Sequence, residues 1–358
     1  MSLLDFREQV ARLAISTLPG AGQVLLLLAA ILQQASLRGT VINAETREPL
    51  GLSIVTLYPA GARQFTDAGG AFTFDVSAGT YVLSVRQIGY SPLDTQLVVR
   101  ADTIVDVALH RLAIELPPVT VAALPCTEPG VPDSSDASLL NVFEQLQENA
   151  RRYELLAQSY PFRYDLEIAE RTVNQRGDTG KPARWRLHFT SRDTRPYQVG
   201  QVIEPAWGPW RSAMGTHLIH DTDLSDLGNE TFIANHCFTL AGTDTLGGRE
   251  WVRIDFQPAS HIASADMAGS AYLDPQTFQV RYTITSITRP ERSELYDLQS
   301  VVFFTRFGSI APGVPLQDSL SVVTRYRYSR SIKIQTQRTS DIRFANRPPP
   351  QSPQPPNE

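Results

Sequence analysis

The chain of 358 residues lacks the residue patterns that many hydrolytic and metal-dependent enzymes require. It has six histidines, and none is followed by glutamate at the His-x-x-Glu spacing that holds zinc in peptidases. A His-Glu-x-x-His run and a Gly-x-Ser-x-Gly elbow are also missing. No pair of carboxylates, and no nucleophile near a histidine, stands out as general acid and base. The sequence therefore favours a protein without enzymatic activity and without a cofactor, and an enzyme whose site residues are dispersed along the chain is the alternative.

Lysine is almost absent, and the chain carries no excess of positive charge. Its lysines are Lys181 and Lys333, and the formal net charge at pH 7 is −5. This mild acidity disfavours nucleic acid as a partner, because nucleic-acid-binding domains carry clustered positive charge. The last segments are nevertheless basic, which could serve contact with anionic lipid headgroups or protect a sheet edge from pairing. The residues are Arg325, Arg327, Arg330, Lys333, Arg338 and Arg343.

No apolar run is long enough to cross a membrane. The longest, Val24 to Leu32, has nine residues, whereas a spanning helix needs about 20. Arginines precede it and Ala35 follows, the pattern of a secretory signal peptide. We therefore expect residues 1–35 to be a signal peptide cleaved after Ala35, with an uncleaved signal and a misplaced start codon as alternatives. The absence of a cysteine just after the run argues against a lipid anchor.

Cysteine is scarce as well, and Cys126 and Cys237 are the two cysteines of the chain. In an exported protein an even pair is expected to be bonded, because the compartment is oxidising. A loop of that length would stabilise the fold by about 4 to 5 kcal/mol in the chain-entropy model. The alternative is two separate thiols, with Cys237 buried in a strand as a small hydrophobic residue.

Short alternating segments separated by turns fill residues 37–121. An Asp-Ala-Gly-Gly turn at 67–70 precedes alternating aromatic residues, which indicates a hairpin because glycine reaches positive φ without a steric penalty. About seven strands in roughly 85 residues predict an antiparallel β-sandwich. The other apolar runs are 39–43, 52–58, 79–86, 95–99, 103–109 and the end of the region, near 114–121.

These segments resemble the carboxypeptidase regulatory-like domain, a transthyretin-like β-sandwich. The motifs are Gly39-x-Val41 with Pro49-Leu50, Thr66-Asp67-x-Gly69 with Phe72, Gly79-x-Tyr81-x-Leu83, and Ile88-Gly89-Tyr90. The resemblance covers under a quarter of the chain and implies a fold rather than an activity, because the zinc motif of the associated peptidases is absent. A similar sandwich precedes the plug and barrel of TonB-dependent transporters, but about 225 further residues are too few for such a barrel.

A linker and one helix are predicted next. Residues 122–136 are rich in proline and small polar residues, as expected of an extended linker. Asp136 offers an N-cap, and an apolar stripe follows at helical spacing: Leu139, Val142, Phe143, Leu146, Ala150, Tyr153 and Ala157. Glu144, Glu148, Arg151 and Arg152 are expected largely on the opposite side. Leu155 falls off the stripe, so the last turn should fray or pack separately.

From residue 162 onward the apolar pattern has a period of two, which predicts a large antiparallel sheet. We therefore assign residues 137–345 to a helix-plus-sheet domain, and residues 346–358 to a disordered Pro-rich tail. The predicted strands are 164–173, 185–189, 237–241, 251–256, 270–273, 280–287, 298–307, 321–328 and 332–344. The fold class is thus mainly β, with a sandwich followed by one helix on a curved sheet.

The order of these elements, together with the segment Gly269 to Thr277, resembles the half-barrel of outer-membrane lipoprotein carriers. That resemblance implies a cavity for acyl chains on the concave face of the sheet.

Two clusters are candidate sites. His217, His220 and Asp223 could hold a metal if they share a helix face, although a further ligand at defined spacing is missing and a solvated loop explains them equally well. Trp207 and Trp210 could form an aromatic ligand loop, or simply fold over one mouth of the sheet.

The sequence favours an exported, non-enzymatic protein of the Gram-negative periplasm or outer-membrane periphery, with no transmembrane span in the mature chain. In this hypothesis the sandwich is a recognition or spacer module for the sheet domain. The alternative is a carrier that binds lipid or another apolar ligand on the concave face. Expected partners are a lipid or an envelope protein, and the oligomeric state stays open.

Overall fold

The computed structural model describes residues 34–114, 125–177, 179–206, 217–311, 314–346 and 348–349. The bulk of the predicted signal peptide, the predicted strand near 114–121 and most of the predicted tail lie outside these residues. Within the described part of the chain, no helix is both long and apolar enough to cross a membrane.

The N-terminal region is a sandwich of two sheets. Strands β4–β1–β7 form one sheet and β3–β2–β5–β6 the other. All neighbouring strands are antiparallel except β1 and β7, which pair in parallel. The strands are β1 (Gln34–Asn43), β2 (Ile54–Tyr58), β3 (Ala62–Phe65), β4 (Ala71–Ser77), β5 (Gly79–Arg86), β6 (Leu93–Val99) and β7 (Thr103–Leu109).

The predicted Asp-Gly turn is formed, but the prediction of a hairpin is wrong, because the turn connects β3 to β4 and these strands belong to different sheets. Asp67 Oδ1 accepts hydrogen bonds from the backbone N–H groups of Gly69 (2.9 Å) and Ala71 (2.8 Å). Gly70 has a φ of +74°, and a Cβ there would lie 2.4 Å from the carbonyl oxygen of Val41. Glycine is required at this position both for its backbone conformation and for the close approach of β1.

After the sandwich come one long helix and a nine-stranded sheet. Helix α1 (Ala137–Ser159) begins at Asp136, whose side chain accepts the backbone N–H of Leu139. The sheet is open, and its strand order is β12–β13–β14–β15–β16–β17–β18–β8–β9, every pair antiparallel. Its strands are β8 (Phe162–Val173), β9 (Ala183–Thr190), β12 (His236–Leu246), β13 (Arg249–Pro258), β14 (Asp266–Leu273), β15 (Val280–Thr288), β16 (Leu298–Ala311), β17 (Val314–Tyr326) and β18 (Ile332–Phe344).

The connection between β9 and β12 contains short elements that the sequence pattern did not predict. A hairpin of β10 (Ile203–Pro205) and β11 (His217–Ile219) is followed by helices α2 (Leu224–Gly228) and α3 (Glu230–Ala234). We call residues 193–235, as far as the structure describes them, the strap. Each element has only three to five residues, which is too short for hydrophobic periodicity to reveal.

The apolar stripe of α1 lies on the curved sheet and forms the main core. Val142, Phe143 and Leu146 are fully buried, and the ring of Phe143 meets that of Phe238 edge to face at 4.7 Å between centroids. Asn149 fixes the helix to the sheet, because its side chain donates to the carbonyl oxygen of Phe278 and accepts the backbone N–H of Val280, both at 3.0 Å. We call this face of the sheet, on which α1 lies, the inner face.

Glu148 and Arg152 lie on the side of α1 opposite the apolar stripe, as expected, but they are not exposed to solvent there. Their residues are only 3% and 1% exposed, because the sandwich packs on that side of α1. Arg152 Nη2 donates to the side-chain oxygen of Gln87 in the sandwich, and Arg152 Nε lies 3.5 Å from Glu148 Oε1. A charged pair that would be solvated on a surface helix is therefore enclosed between two units.

The sandwich and the sheet domain also share apolar contacts. Ile88 of the sandwich joins the main core, and the backbone N–H of Gly89 donates to Gln145 Oε1 of α1 at 2.7 Å. Leu155 packs in a separate cluster, one of the two outcomes expected for this last turn, together with Leu52 and Phe65 of the sandwich. The sandwich thus covers the outer side of α1.

Cys126 and Cys237 form a disulfide, with their Cα atoms 5.5 Å apart. Cys126 lies in the segment that leads to α1, and Cys237 is in β12, 111 residues further on. Around the bond, Cys126 packs with Ala259 and Ile262 in a small apolar cluster. The bond therefore attaches the interdomain segment to the first strand of the sheet that follows the strap.

Candidate ligand-binding site on the inner face of the sheet

Helix α1 fills the inner face only in part, packing mainly against β12, β13 and β17. Further along the sheet, on β8 and β9, a separate apolar cluster contains Leu166, Ile168 and Phe189, with Trp185 and Leu187 partly exposed beside it. Strand alternation places these side chains together on the inner face, because every second residue of β8 and β9 faces that side. This end of the inner face is apolar and lies beyond the main contacts of α1.

Two neighbouring cavities lie on the inner face between the sheet and the strap. The first, of about 150 Å³, has aromatic walls that include Phe162, Tyr164 and Phe189. The second, of about 290 Å³, has Phe303 and Val322 in its walls. Three residues line both cavities: Arg195 and Asp221 of the strap and Gln337 of β18. We call the two together the inner-face cavities.

Polar groups of the strap and of β18 border these apolar walls. Arg195 Nη1 lies 3.0 Å from Glu204 Oε1, and Arg195 Nη2 lies 3.9 Å from Asp221 Oδ1. Gln337 Nε2 donates to Gln335 Oε1 at 2.9 Å. The walls of both cavities are therefore mixed, and those of the second also include the charged residues Glu170 and Lys333.

Burial controls the ionisation of the groups around the first cavity. It raises the pKa of the phenols of Tyr153 and Tyr164, and nearby aspartates raise both further. Both tyrosines are therefore neutral at physiological pH. Burial also raises the pKa of Asp221, although the Arg195 guanidinium opposes that shift. The first cavity therefore offers aromatic surface and two neutral phenols.

The structure does not bring His217, His220 and Asp223 together as a metal site. His217 is in β11 and His220 follows that strand three residues later, a spacing that places them on opposite sides of an extended chain. His217 Nε2 lies 3.7 Å from Glu294 Oε2, while Asp223 caps α2 by accepting the backbone N–H groups of Ser225 and Asp226. In the described ranges, no group of three or more potential ligands could hold a metal ion.

His220 instead forms a buried pair, with its Nε2 2.7 Å from Asp226 Oδ2. Burial alone would lower the pKa of His220, but the charge and hydrogen bond of Asp226 raise it to about 9. Burial raises the pKa of Asp226 to about 6. Because the pKa of the histidine stays above that of the carboxyl, the pair is ionised near neutral pH and holds the strap together.

Sequence patterns gave no sign of a second buried cluster, which joins the strap to the sheet. Tyr197 of the strap donates its hydroxyl to Asp266 Oδ2 at 2.7 Å. His236 is fully buried, with Nδ1 2.8 Å from the carbonyl oxygen of Phe232 and Nε2 3.0 Å from that of Met267. These residues lie up to 69 positions apart, so only the folded chain brings them together. Their contacts are those of a structural anchor.

The other predicted candidate loop, Trp207 and Trp210, lies outside the described residues, between Ala206 and His217.

Comparison with known proteins supports the assignment of the first unit. Residues 36–110 match the family model of the carboxypeptidase regulatory-like domain, which confirms the resemblance carried by the sandwich motifs. The match describes this domain and not the rest of the chain. No curated protein matches the chain.

Several solved structures are similar to part of this chain. One is a LolA superfamily protein from Nitrosomonas europaea, with 10% identity, 57% of this chain and 94% of that chain covered, and a TM-score of 0.29. A putative outer membrane lipoprotein-sorting protein domain from Vibrio parahaemolyticus has 11% identity, coverage of 57% and 94%, and a TM-score of 0.31. A DUF1329 family protein from Desulfovibrio piger has 9% identity, coverage of 57% and 93%, and a TM-score of 0.30. TM-scores this low do not establish a common fold, so we take no property from these structures.

Proposed function

We propose that this protein is an exported, non-enzymatic binding protein of the bacterial cell envelope, which holds an apolar or amphipathic ligand in the inner-face cavities. The observation that carries the proposal is the inner face of the sheet, where aromatic and aliphatic side chains of β8 and β9 border the first cavity and those of β16 and β17 border the second. An apolar face left open to water costs free energy, and a bound apolar ligand removes that cost.

The contacts of His236 are those of a structural residue rather than of a catalytic one, because both of its ring nitrogens face backbone carbonyl oxygens. His220, in the wall of the first cavity, is held in place by Asp226 through Nε2. The Cys126–Cys237 bond is in keeping with export, because disulfides persist in oxidising compartments.

The sandwich has a supporting role in this proposal. Its residues Leu52, Phe65 and Ile88 pack against α1 and the cores beneath it, so the sandwich buttresses the helix that closes one side of the inner face. This role differs from that of a freely hinged spacer, which would bury little surface against its neighbour.

A cavity-filling variant with a matched control tests the proposal. Gln337→Trp places a large ring where both cavities meet, whereas Thr336→Trp adds the same ring one residue earlier, on the opposite and exposed face of β18. With an environment-sensitive probe such as N-phenyl-1-naphthylamine, we expect at least tenfold weaker binding for Gln337→Trp and little change for Thr336→Trp. Equal probe binding by wild type and both variants would refute the assignment of the site.

A further inference from the structure

The outer face of the sheet, opposite α1, carries an arginine-lined groove that the proposed function does not use. The groove has a volume of about 820 Å³ and crosses five neighbouring strands, from β16 to β9. Strands lie about 4.8 Å apart, so the groove is roughly 19 Å long. Its four arginines are Arg184, Arg186, Arg306 and Arg338, and the acidic residue in its lining is Glu167.

Strand register explains why these residues meet although they come from separate parts of the chain. Arg306 of β16 is opposite Ser319, Ser319 is opposite Arg338, and Arg338 is opposite Glu167. Glu167 in turn is opposite Arg186 of β9. These residues form one row on the outer face, and Arg184 lies in the adjacent row, which contains Ser321, Thr336 and Ala169.

Two of the four arginines already have carboxylate partners. Arg186 Nη2 lies 2.6 Å from Glu167 Oε1, and Arg306 Nε lies 2.9 Å from Asp318 Oδ1. Arg184 and Arg338 are exposed, and neither side chain has a hydrogen bond or ion pair to another residue in the part of the chain that the structure describes. The groove therefore carries two uncompensated positive charges, although the whole chain is acidic.

Shape and chemistry favour a linear anion. Arg184 and Arg338 are two strands apart and in adjacent rows, so their backbones are separated by roughly 12 Å. That separation suits repeated charges along a chain better than one phosphate ion. The floor between them bears the hydroxyls of Ser319, Ser321 and Thr336, which can exchange hydrogen bonds with sugar hydroxyls. A recessed floor also fits a chain better than the flat surface of a bilayer.

We propose that this outer groove binds an acidic polysaccharide, with Arg184 and Arg338 as its main contacts to carboxylate or sulfate groups. Arginine suits this role because its planar fork pairs with such anions through two parallel hydrogen bonds. Of the six basic residues that the sequence analysis singled out in the last segments, Arg338 lies in this groove. Of the others, Lys333 faces the inner side and pairs with Glu170, Arg327 pairs with Glu291, and Arg343 pairs with Asp341.

The test compares two double variants that remove the same charge. Arg184→Ser/Arg338→Ser removes the unpaired groove arginines, and Arg100→Ser/Arg249→Ser removes two exposed arginines elsewhere. Binding to dextran sulfate, polygalacturonate and neutral dextran would be measured by calorimetry at low and physiological salt. We expect both anionic polymers to bind wild type, dextran not to bind, and the groove variant to bind at least tenfold more weakly. The control variant should stay within twofold, and salt should weaken all binding.

Several outcomes would overturn the proposal. The proposal fails if wild type binds neither anionic polymer, or if both double variants lose affinity to the same extent. Tighter binding to single-stranded DNA, or to vesicles of equal parts phosphatidylcholine and phosphatidylglycerol, than to both polysaccharides would also overturn it. Matching thermal unfolding midpoints would show that the exposed substitutions leave the fold intact.

Discussion

Replacing Arg152 by methionine tests whether the sandwich and the sheet domain form one packed unit. Arg152 is 1% exposed, and it contacts Glu148 on its own helix and Gln87 in the sandwich. Methionine keeps most of the apolar stem and removes the charge. Glu148, itself buried, would then retain Arg151, at 4.0 Å, and the more distant Arg86 and Arg63 of the sandwich as its cationic neighbours.

The expected cost follows from the burial of the pair. Removing one member of a buried ion pair destabilises a protein by about 3 to 5 kcal/mol, because the remaining charge has lost its partner away from water. Burial raises the pKa of Glu148 while Arg152 opposes that shift, so loss of Arg152 should raise this pKa further. The destabilisation should therefore be smaller at pH 5 than at pH 8, since protonation removes the stranded charge.

Urea unfolding followed by circular dichroism would measure this effect, with Arg151→Met as the control. Arg151 is the adjacent residue of α1, and 44% of its side chain is exposed, so we expect a change below about 0.5 kcal/mol. The double variant Glu148→Met/Arg152→Met should recover most of the loss, because two apolar side chains of similar volume replace the pair. The reasoning would be refuted if Arg152→Met and Arg151→Met had the same stability at pH 8.

Three further predictions concern the strap, the disulfide and the contact between α1 and the sheet. Because the pKa of His220 is raised from 6.5 to about 9 in the folded state, its contribution is fully present below pH 6.5 and is lost as pH rises through 9. The unfolding free energy of wild type should therefore fall by about 3 kcal/mol more than that of His220→Gln between pH 6.5 and 9.5; parallel curves would contradict this. Cys126→Ser/Cys237→Ser should lose about 4 to 5 kcal/mol in denaturant titrations, and a loss below 1 kcal/mol would show that the link is not stabilising. Asn149→Ala should cost about 2 to 4 kcal/mol, since it leaves the N–H of Val280 and the carbonyl of Phe278 without this partner; a thermal midpoint equal to that of wild type would contradict this.

The sandwich and the large sheet were predictable because their patterns are local and long. The Asp67–Gly70 turn and the strand with alternating Phe72 and Phe74 that follows it are evident from neighbouring residues alone, whereas the assignment of β3 and β4 to different sheets is not. The strand predicted at 332–344 has these same bounds in the structure, since its period-two pattern extends over 13 residues.

The burial of Glu148 and Arg152 could not be predicted from the helix pattern, because a second unit covers that side of α1. The same holds for the strap, in which Tyr197 meets Asp266 across 69 positions and each helix has five residues. The outer groove also depends on register, since Arg184 and Arg338 reach the same face of the sheet only when β8 pairs with both β18 and β9. Local periodicity carries no information about such long-range pairings.

Mass spectrometry of small molecules that copurify with the protein from its native envelope tests the central claim most directly. Wild type and Thr336→Trp should each carry an apolar or amphipathic ligand, and Gln337→Trp, which fills the meeting point of the inner-face cavities, should carry at least tenfold less. A protein recovered without any such ligand, or one that retains it equally in Gln337→Trp, would contradict the account.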